Sequence, residues 1–365
     1  MKPSKNNTII LTAGGTGGHI YPAESLAVEL QKRGYKTVFY TDSRGLGNYK
    51  GILSQLPSKT ILSGSIVGKS VFTKIASLCK VMLGIVQAGF YLLFNRPRAV
   101  VGFGGYASFP TAIAAIILRI PLIIHEQNSV MSRTNRILAR FANITAQSFR
   151  NVKNTPKQAK EFLSGMPVRD SIVQLHNNQY QPWDKQRPFT IIVLGGSQGA
   201  KIFGDVIPQA ITLFNDSVQE QICIYQQCRK EDEENIRKAY KKLWCKNNIA
   251  PFFTNMPELY AKADLMISRS GASSVYEIAA SGTPSILVPL PTAADNHQYY
   301  NAKELNDCGG ALLIEQQDFT APKLNALIAD FMKNPKKLEQ LSLRAKKCSI
   351  IDAQVRLADE IEKLS

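Results

Sequence analysis

The chain has 365 residues, of which 44% are hydrophobic and 8% aromatic, and it carries a formal net charge of +16. This length argues against a single hydrophobic core and predicts two domains, and the composition is that of an ordinary globular protein. The excess of basic residues indicates either a solvated basic surface or an anionic partner: a nucleic acid, a membrane face or a polyanionic substrate. The polar N-terminal residues do not have the pattern of a signal peptide.

Apolar strands alternate with helices through both halves of the chain. The first half has strands at 8–13, 36–41, 99–103 and 122–125 and a helix at 23–33 that Gly34 stops. The second half has strands at 190–194, 222–226, 265–268 and 285–289, helices at about 231–243, 256–263 and 273–281, and a charged helical stretch at 335–364. This alternation predicts two parallel α/β sheets whose carboxyl ends, and therefore ligand sites, face a shared cleft. The domain boundary is predicted near 167–170.

The first strand runs into a glycine-rich turn at 14–18, followed by His19. Glycines let backbone N–H groups approach an anionic ligand, and the helix N-terminus adds a partial positive charge. That charge disfavours the imidazolium, so a neutral, base-competent His19 is expected. A dinucleotide fingerprint is the alternative, supported by Asp42 at the end of the second strand, but Ile20 stands where its third glycine would be. A helix-capping role for His19 is also open.

An apolar helix is predicted over 71–94, with lysines in and beside it. Its lysine-free part, 81–94, is shorter than the ~20 residues that a membrane span requires, so a buried or an interfacial helix is expected. The apolar residues at helical spacing are Val71, Phe72, Ile75, Leu78, Met82, Ile85 and Val86, and the nearby basic residues are Lys69, Lys74, Lys80, Arg96 and Arg98.

Polar or glycine-rich residues follow several other strands, at 102–108, 125–128, 195–199, 268–277 and 295–298. Such positions suit phosphate, ribose and sugar hydroxyls, although a structural turn is the alternative at 125–128. Glu277 is expected either to complement its helix dipole or to bind both ribose hydroxyls. The sequence has no Asp-x-Asp pair, and none of its six cysteines has zinc-ligand spacing, so we expect no metal and reduced thiols in a cytosolic protein.

The motifs occur in one order along nearly the whole chain. They are Gly-Gly-Thr-Gly-Gly-His at 14–19, Gly-Gly-Tyr at 104–106, His-Glu-Gln-Asn at 125–128, Pro-Val-Arg at 167–169, Gly-Gly-Ser-Gln-Gly-Ala at 195–200, Arg-Ser-Gly-Ala at 269–272, Glu277 and Asp-x-His-Gln at 295–298. Each motif alone is weak, but the ordered set resembles the MurG family of bacterial glycosyltransferases. Members of that family transfer N-acetylglucosamine from UDP-N-acetylglucosamine to lipid I, which gives lipid II for peptidoglycan.

The resemblance implies a GT-B fold, in which two facing Rossmann-like domains with parallel sheets enclose a deep cleft. Residues 1–168 would form the acceptor-binding and membrane-associating domain, and 169–341 the donor domain. A C-terminal helix at about 342–365 would pack back on the first domain.

The resemblance also assigns the site. His19 would be the general base that deprotonates the C4 hydroxyl of the muramyl sugar in an inverting transfer. Donor-binding positions would be Thr16, Gly17, Gly18, Asn128, Arg169, Ser197, Gln198, Phe253, Met256, Ala272, Ser273, Glu277, Gln298 and Asn301. Acceptor-binding positions would be Gly14, Gly15, Gly104, Gly105, Tyr106, Glu126 and Asn128. Within the donor set, Ser197 and Gln198 would cradle the diphosphate, the backbone at Phe253 would read uracil, and Glu277 would bind ribose.

The implied partners are lipid I, an undecaprenyl-diphosphate-linked muramyl peptide, and the anionic cytoplasmic membrane surface, with no nucleic acid. Cell-wall synthesis and division complexes are further implied partners. The protein would lie peripherally on the cytoplasmic face of the inner membrane and serve cell-wall biogenesis, cell shape and division. No tightly bound cofactor is implied; UDP-N-acetylglucosamine is the donor substrate.

Three segments depart from the family pattern. Tyr225-Gln226-Gln227-Cys228-Arg229 stands where His-Gln and a nearby glycine are frequent, Gly204 replaces an expected asparagine, and Gly45-Leu46-Gly47 replaces Gly-Leu-Glu. The first two put individual nucleotide contacts in question. The departures suggest a degenerate nucleotide-sugar-binding protein as one alternative function. A UDP-N-acetylglucosamine epimerase, which shares the fold and the donor, and an NAD-dependent enzyme are the other two alternatives.

Overall fold

A computed structural model describes residues 7–14, 17–43, 51–64, 71–196 and 199–364, with the side chains of Val71 and Phe72 outside that description. The chain divides into two compact units. The first comprises Met1–Arg169 and Ile350–Ser365, and the second comprises Asp170–Ser349.

Within its described residues, the first unit contains a sheet of seven parallel strands in the order β3-β2-β1-β4-β5-β6-β7. The strands are β1 Thr8–Thr12, β2 Lys36–Thr41, β3 Ser58–Thr60, β4 Ala99–Gly102, β5 Leu122–Glu126, β6 Ile144–Gln147 and β7 Glu161–Leu163. The helices of this unit are α1 Gly17–Lys32, α2 Val71–Asn95, α3 Ser108–Ile117, α4 Arg133–Leu138 and α14 Ala353–Lys363.

The central strand β1 pairs with both β2 and β4. Its apolar residues are buried on both faces of the sheet because helices pack on each face. Ile9 and Leu11 belong to a core with residues of α1 and α14, whereas Ile10 belongs to a second core with residues of α2 and α3. This two-sided burial is what a continuous apolar strand predicts in a parallel sheet.

The returning segment is shorter than the predicted 342–365. Helix α13, Lys336–Cys348, belongs to the second unit, where a Cβ added at Gly310 would lie 2.7 Å from the Cα of Ala345. Only α14 joins the first unit, and Arg33, the residue after α1, pairs with Asp359 at 2.7 Å and Glu362 at 3.2 Å. Ion pairs and buried apolar residues together attach α14 to α1.

The second unit contains, in its described residues, a sheet of six parallel strands in the order β10-β9-β8-β11-β12-β13. They are β8 Phe189–Leu194, β9 Ile222–Gln227, β10 Lys246–Ala250, β11 Leu265–Ser268, β12 Ser285–Leu287 and β13 Leu312–Leu313. Its helices are α5 Asp170–Val173, α6 Lys201–Thr212, α7 Asp216–Gln219, α8 Glu233–Tyr240, α9 Met256–Lys262, α10 Ala272–Ser281, α11 His297–Asp307, α12 Ala321–Lys333 and α13.

Helix α2 packs on the first unit along a narrow stripe of mostly small residues: Ser77, Val81, Gly84, Ala88 and Leu92. A Cβ at Gly84 would collide with the carbonyl oxygen of Leu62, so glycine permits this close crossing. The Gln87 side chain accepts a hydrogen bond from Leu62 N at 2.9 Å and donates one to Thr60 O at 2.9 Å. The Gln87 side chain therefore satisfies two backbone groups at the end of β3, the edge strand of the sheet.

The opposite face of α2 is apolar and exposed. Its exposed residues are Ile75, Leu78, Met82, Leu83, Val86, Phe90, Leu93 and Phe94, whereas Ile85 is half-buried. Thr73–Asn95 is long and apolar enough to cross a membrane, with a mean hydropathy of 1.6. The contacts of Gly84 and Gln87 hold it against the sheet instead. Among the basic residues predicted beside it, Lys74 and Lys80 are exposed, and Lys69 lies outside the described residues.

The expectation that all six cysteines are reduced thiols is wrong for Cys308 and Cys348, which form a disulfide. Their sulfurs meet because α11 and α13 end side by side, where Gly310 contacts Ala345. Of the remaining cysteines, Cys228 and Cys245 are buried, Cys223 is partly exposed and Cys79 is exposed.

Candidate active site

Two glycine turns of the first unit meet at the carboxyl ends of β1 and β4. Gly14 N donates a hydrogen bond to Gly104 O at 2.9 Å, and a Cβ added at Gly14 would lie 2.7 Å from the Cα of Gly105. Gly104 and Gly105 have φ values of +87° and +82°, which glycine adopts without strain. The contact therefore requires glycine on both turns. Gly15 and Thr16 lie outside the described residues.

His19 lies in the first turns of α1, which also contain Gly17 and Gly18. A Cβ added at Gly104 would lie 3.2 Å from both Cδ2 and Nε2 of the His19 ring, so the imidazole rests on the second glycine turn. The ring keeps some accessible surface, but the protein packed around it removes water and lowers the pKa of His19 to about 4. His19 is therefore neutral at neutral pH and able to accept a proton.

His125 is fully buried at the end of β5. Its Nε2 donates a hydrogen bond to Gly165 O at 3.0 Å, and its ring lies 5.3 Å from that of Phe103. Burial lowers the pKa of His125 to about 4, opposed by the Gly165 bond and assisted by nearby His19. The position therefore holds a neutral imidazole in the interior.

This burial predicts a loss of stability in acid. Between pH 6.5 and 4 the unfolded chain binds a proton at His125 that the folded chain does not, so stability is complete above pH 6.5 and falls as the pH drops. The shift corresponds to about 3 kcal/mol. Urea unfolding at pH 7 and pH 4.5 should show this decline, and His125→Gln should reduce the pH dependence. The matched variant His176→Gln should keep it, and an unchanged decline in His125→Gln would contradict the assignment.

Glu126, also buried, organises the loop that follows β5. One carboxylate oxygen accepts hydrogen bonds from Asn128 N at 3.0 Å and Asn128 Nδ2 at 3.4 Å, and the other from Ser132 N at 2.9 Å and Asn135 Nδ2 at 2.8 Å. Burial raises the pKa of Glu126, and these bonds oppose the rise. The carboxylate therefore fixes the position of half-buried Asn128. Its neighbour Gln127 donates a hydrogen bond to Phe103 O at 2.7 Å, next to the second glycine turn.

The remaining predicted residues of the first unit lie at its edge. Tyr106 follows the second glycine turn and is 40% exposed. The guanidinium of Arg169, the last residue before the boundary, lies 4.9 Å from the ring centroid of Tyr21 on α1. Arg169 therefore contacts the helix that carries His19.

In the second unit, the glycine turn after β8 is closed by a hydrogen bond from Gly199 N to Gly196 O at 3.0 Å. Both glycines have positive φ, of +68° and +77°. A Cβ at Gly199 would lie 2.5 Å from Cγ of Arg229. The segment at the end of β9, which differs from the family pattern, therefore packs on this turn. Ser197 and Gln198 lie outside the described residues.

The departure at Gly204 has a packing cause. A Cβ at Gly204 on α6 would lie 2.6 Å from Cδ1 of Ile236 on α8. Gln226 beside it is fully buried, and its Oε1 accepts a hydrogen bond from Tyr240 at 2.7 Å. These residues form part of the domain interior.

Helix α10 begins at Ala272 and carries Ser273 and Glu277. Ala272 is buried, and Ser273 Oγ is buried without a hydrogen-bond partner in the described part of the chain. Glu277 is half-buried, and its Oε2 accepts a hydrogen bond from the Tyr260 hydroxyl at 3.0 Å. Tyr260 was not predicted from the sequence, although it lies one helical turn after Met256.

Phe253 lies in the segment between β10 and α9, and Met256 lies at the start of α9. Phe253 is buried, with its ring centroid 6.3 Å from that of Tyr225, and Met256 is the first residue of α9. The Lys262 ammonium lies 3.8 Å from the Tyr225 ring centroid. Tyr225, at the position where histidine is frequent, thus forms part of the wall beside Phe253.

The loop before α11 holds two consecutive non-glycine residues at positive φ, Asp295 at +51° and Asn296 at +54°. Such backbone strain is concentrated at binding sites. Gln298 follows, and its Oε1 accepts a hydrogen bond from Leu290 N at 3.1 Å. Asn301 is buried and donates to Ser270 O at 3.2 Å. The loop and the turn before α10 are therefore held together.

Arg269, in the motif before α10, is buried. It donates to the carbonyl oxygens of Val288 and Pro289 at 3.1 and 3.0 Å and to Gln316 Oε1 at 2.6 Å. Burial lowers the pKa of Arg269. Its guanidinium therefore braces the strand ends.

A cavity of about 340 Å³ opens at the other end of this sheet, where β8 and β11 begin. It is lined by residues such as Pro188, Ala263 and Lys346 and contains none of the predicted donor contacts. Among the described residues, no group of three or more His, Cys, Asp or Glu side chains is arranged to hold a metal ion.

Two family models match the chain. The glycosyltransferase family 28 N-terminal domain matches residues 9–147, and the C-terminal domain of the same family matches residues 190–357. The UDP-N-acetylglucosamine–N-acetylmuramyl-(pentapeptide) pyrophosphoryl-undecaprenol N-acetylglucosamine transferase of Rhodospirillum rubrum is 42% identical over 96% of this chain and 90% of the relative. The transferase of the same name from Paramagnetospirillum magneticum is 42% identical over 96% of this chain and 95% of its own.

The chain belongs to the MurG family of glycosyltransferases. The crystal structure of Acinetobacter baumannii MurG matches with a TM-score of 0.78 and 30% identity, covering 98% of this chain and 99% of that one. The predicted α/β fold of GT-B type, with two parallel-sheet domains, is confirmed.

A UDP-N-acetylglucosamine 2-epimerase from Neisseria meningitidis also matches, with a TM-score of 0.69, 98% of this chain and 100% of that one. Its identity is only 14%, so this likeness concerns the fold alone. The fold is therefore shared with the epimerases. The relatives at 42% identity are transferases, and this similarity in sequence distinguishes the two enzyme classes.

Proposed function

We propose that this chain is an inverting transferase that moves N-acetylglucosamine from UDP-N-acetylglucosamine to the C4 hydroxyl of the muramyl sugar of lipid I, forming lipid II. The observation that carries the proposal is the 42% identity, over 96% of the chain, to transferases of that name. The departures at Gly204 and Tyr225 are packed into the interior or wall of the domain, so they do not indicate a degenerate site.

His19 is proposed as the general base. Its imidazole is neutral and lies against Gly104, where the two glycine turns meet. Gly14, Gly15, Gly104, Gly105, Tyr106, Glu126 and Asn128 would hold the acceptor. A positioned base contributes roughly 10²–10⁴-fold to the rate of such a step. The bond that forms joins the acceptor C4 oxygen to the sugar anomeric carbon, and the bond that breaks releases UDP.

The donor is proposed to bind to the second unit, with contributions from Thr16, Gly17, Gly18, Asn128 and Arg169 of the first. Ser197 and Gln198 would hold the diphosphate, the backbone at Phe253 would read the uracil, and Glu277 would bind the ribose. Met256 would border the nucleotide. Ala272, Gln298 and Asn301 would hold the sugar, and Ser273 is a further donor-binding position. Backbone dipoles at the glycine turn and at the start of α10 can stabilise a leaving diphosphate without a metal or other bound cofactor.

A transfer assay tests the proposal. Purified protein, radiolabelled UDP-N-acetylglucosamine and a lipid I analogue should give a labelled lipid product. Donor alone should be left unchanged, since an epimerase would convert it. Preferential binding of UDP over NAD would exclude the dinucleotide alternative. Failure to label the lipid, together with conversion of free donor, would overturn the proposal.

Helix α2 is proposed to dock on an anionic membrane at the cytoplasmic face, where the lipid acceptor is held. The support is its exposed apolar face, with the rings of Phe90 and Phe94 4.5 Å apart, and the exposed Lys74 and Lys80 beside it. Buried apolar area and attraction to anionic lipid add in such a surface. Cell-wall synthesis and division complexes are further proposed partners.

Binding to anionic vesicles should therefore weaken as salt rises, and binding to neutral vesicles should be slight. Each lysine near the surface contributes about 1 kcal/mol, so replacing Lys69, Lys74 and Lys80 with glutamate should weaken binding by at least about tenfold. UDP affinity should not change. Vesicle sedimentation measures the first effect and calorimetry the second.

The matched control replaces three exposed lysines of the second unit, Lys241, Lys242 and Lys246, with glutamate. It makes the same change in net charge and should bind vesicles like the parent chain. Phe90→Ser with Phe94→Ser should weaken binding even at low salt. Equal sedimentation with neutral and anionic vesicles at every salt concentration would contradict the electrostatic part.

A further inference from the structure

A partly buried hydrogen bond joins two helices of the second unit. Tyr260 lies on α9 and is 3% exposed, and its hydroxyl donates to Glu277 Oε2 on α10 at 3.0 Å. A tyrosine hydroxyl bonded to a carboxylate is a charge-assisted hydrogen bond, which is shorter and stronger than one between neutral groups. It restricts the rotation of the Glu277 side chain.

Tyr260 is itself firmly held. Its carbonyl oxygen accepts a hydrogen bond from Thr283 Oγ1 at 3.4 Å, and the Thr283 and Ser281 hydroxyls lie 2.8 Å apart. Ser281 is the last residue of α10, and Thr283 lies two residues after it. The backbone of Tyr260 is therefore linked to the segment just beyond α10, and its hydroxyl is bonded to Glu277 within that helix.

The same helix begins at Met256, three residues after Phe253. Met256 and Tyr260 are four residues apart and lie on the same face of α9. One rigid element thus connects the segment assigned to the uracil with the carboxylate assigned to the ribose.

We propose that Tyr260 is a positioning residue, which holds the Glu277 carboxylate in the orientation that accepts the ribose hydroxyls of the donor. This inference rests on the proposed function, in which Glu277 binds ribose. A carboxylate offers about four lone-pair sites, so one bond from tyrosine and two from ribose are compatible. A glutamate that is already ordered loses less side-chain entropy when the ligand binds.

The test replaces Tyr260 with phenylalanine, which keeps the buried ring and removes only the hydroxyl. Calorimetry with UDP and with 2′,3′-dideoxy-UDP measures the affinity for ligands that have or lack the ribose hydroxyls. We expect UDP to bind roughly three- to tenfold more weakly, and dideoxy-UDP to bind as to the parent chain. The ratio of the two affinities, measured on one preparation, does not depend on the folded fraction.

A double-mutant cycle with Glu277→Ala completes the test. Because Tyr260 acts through Glu277, adding Tyr260→Phe to Glu277→Ala should cause no further loss of UDP affinity. In turnover, Tyr260→Phe should raise the donor KM and leave kcat nearly unchanged. The matched control is Tyr180→Phe, which removes a hydroxyl bonded to Asp264 O at 3.3 Å in the same unit and should leave UDP affinity unchanged.

The outcomes distinguish the positioning role of Tyr260 from the ribose-binding role of Glu277. If Glu277→Ala weakens UDP binding and Tyr260→Phe does not, the positioning role is wrong and the ribose assignment stands. Equal losses for UDP and dideoxy-UDP in Tyr260→Phe would show a general structural role and overturn the inference. If Glu277→Ala binds UDP normally, the ribose assignment fails, and the positioning role fails with it.

Discussion

Replacing His19 with alanine should reduce turnover by roughly 10²–10⁴-fold, the contribution expected of a general base. The affinity for UDP should stay within about twofold, because the nucleotide contacts are assigned mainly to the second unit. Steady-state transfer of labelled sugar to a lipid I analogue measures the first effect, and calorimetry with UDP measures the second. A loss confined to kcat would match a group that acts on the acceptor hydroxyl in the transition state.

The matched control for this prediction is His176→Ala, since His176 lies in the second unit with Nδ1 bonded to Ala280 O at 3.0 Å. It should leave turnover unchanged. Near-normal turnover in His19→Ala would refute the assignment and direct attention to Glu126. That carboxylate would then have to act while both of its oxygens hold the loop after β5.

The second large effect is expected from Glu277→Ala, which should weaken UDP binding by about tenfold or more. Charge-assisted hydrogen bonds to the two ribose hydroxyls contribute at most roughly 1.5–3 kcal/mol each. The variant should remain folded because Glu277 is only half-buried. Calorimetry gives the affinity, and thermal unfolding gives the stability.

Glu258→Ala is the matched control for that experiment. Glu258 is an exposed carboxylate on α9 whose Oε2 accepts a hydrogen bond from Asn255 at 3.0 Å. Its removal should not alter UDP affinity. Unchanged affinity in Glu277→Ala would instead assign Glu277 to the helix dipole, the alternative weighed from the sequence.

Apolar periodicity predicted the strands that form the centres of both sheets, because a strand buried on two faces must be apolar throughout. It did not reveal β3, β6, β7 or β13, which have two to four residues each and take their conformation from a neighbouring strand. The polar edge strand β10 was missed for a similar reason. Helix α1 begins at Gly17, six residues before the predicted start, because Pro22 removes only one backbone hydrogen bond and does not end the helix.

The sequence assigns the candidate site to glycines and polar residues that follow strands, because such residues indicate ligand loops, and these assignments stay predictions. It did not predict which groups would turn inward. Glu126, which the resemblance assigns to the acceptor, also accepts the hydrogen bonds that hold its own loop. Arg269 lies in a motif expected at a ligand loop, and its guanidinium bonds to buried carbonyl oxygens. Tyr260 could not be predicted as a site residue, because in the sequence it resembles an ordinary core aromatic. Its role follows only from the fold, which brings α9 beside α10. Such roles depend on contacts between distant segments.

The contact between Gly204 and Ile236 limits how this chain can be altered. An asparagine at 204 needs the volume that Cδ1 of Ile236 occupies, so a single reversion to the common family residue should push α6 and α8 apart before it restores any nucleotide contact. Positions 204 and 236 are therefore coupled, because the Ile236 side chain must shift or become smaller before a larger residue fits at 204. If position 204 were compared with the relatives alone, without position 236, a change in core packing would be taken for the loss of a nucleotide contact.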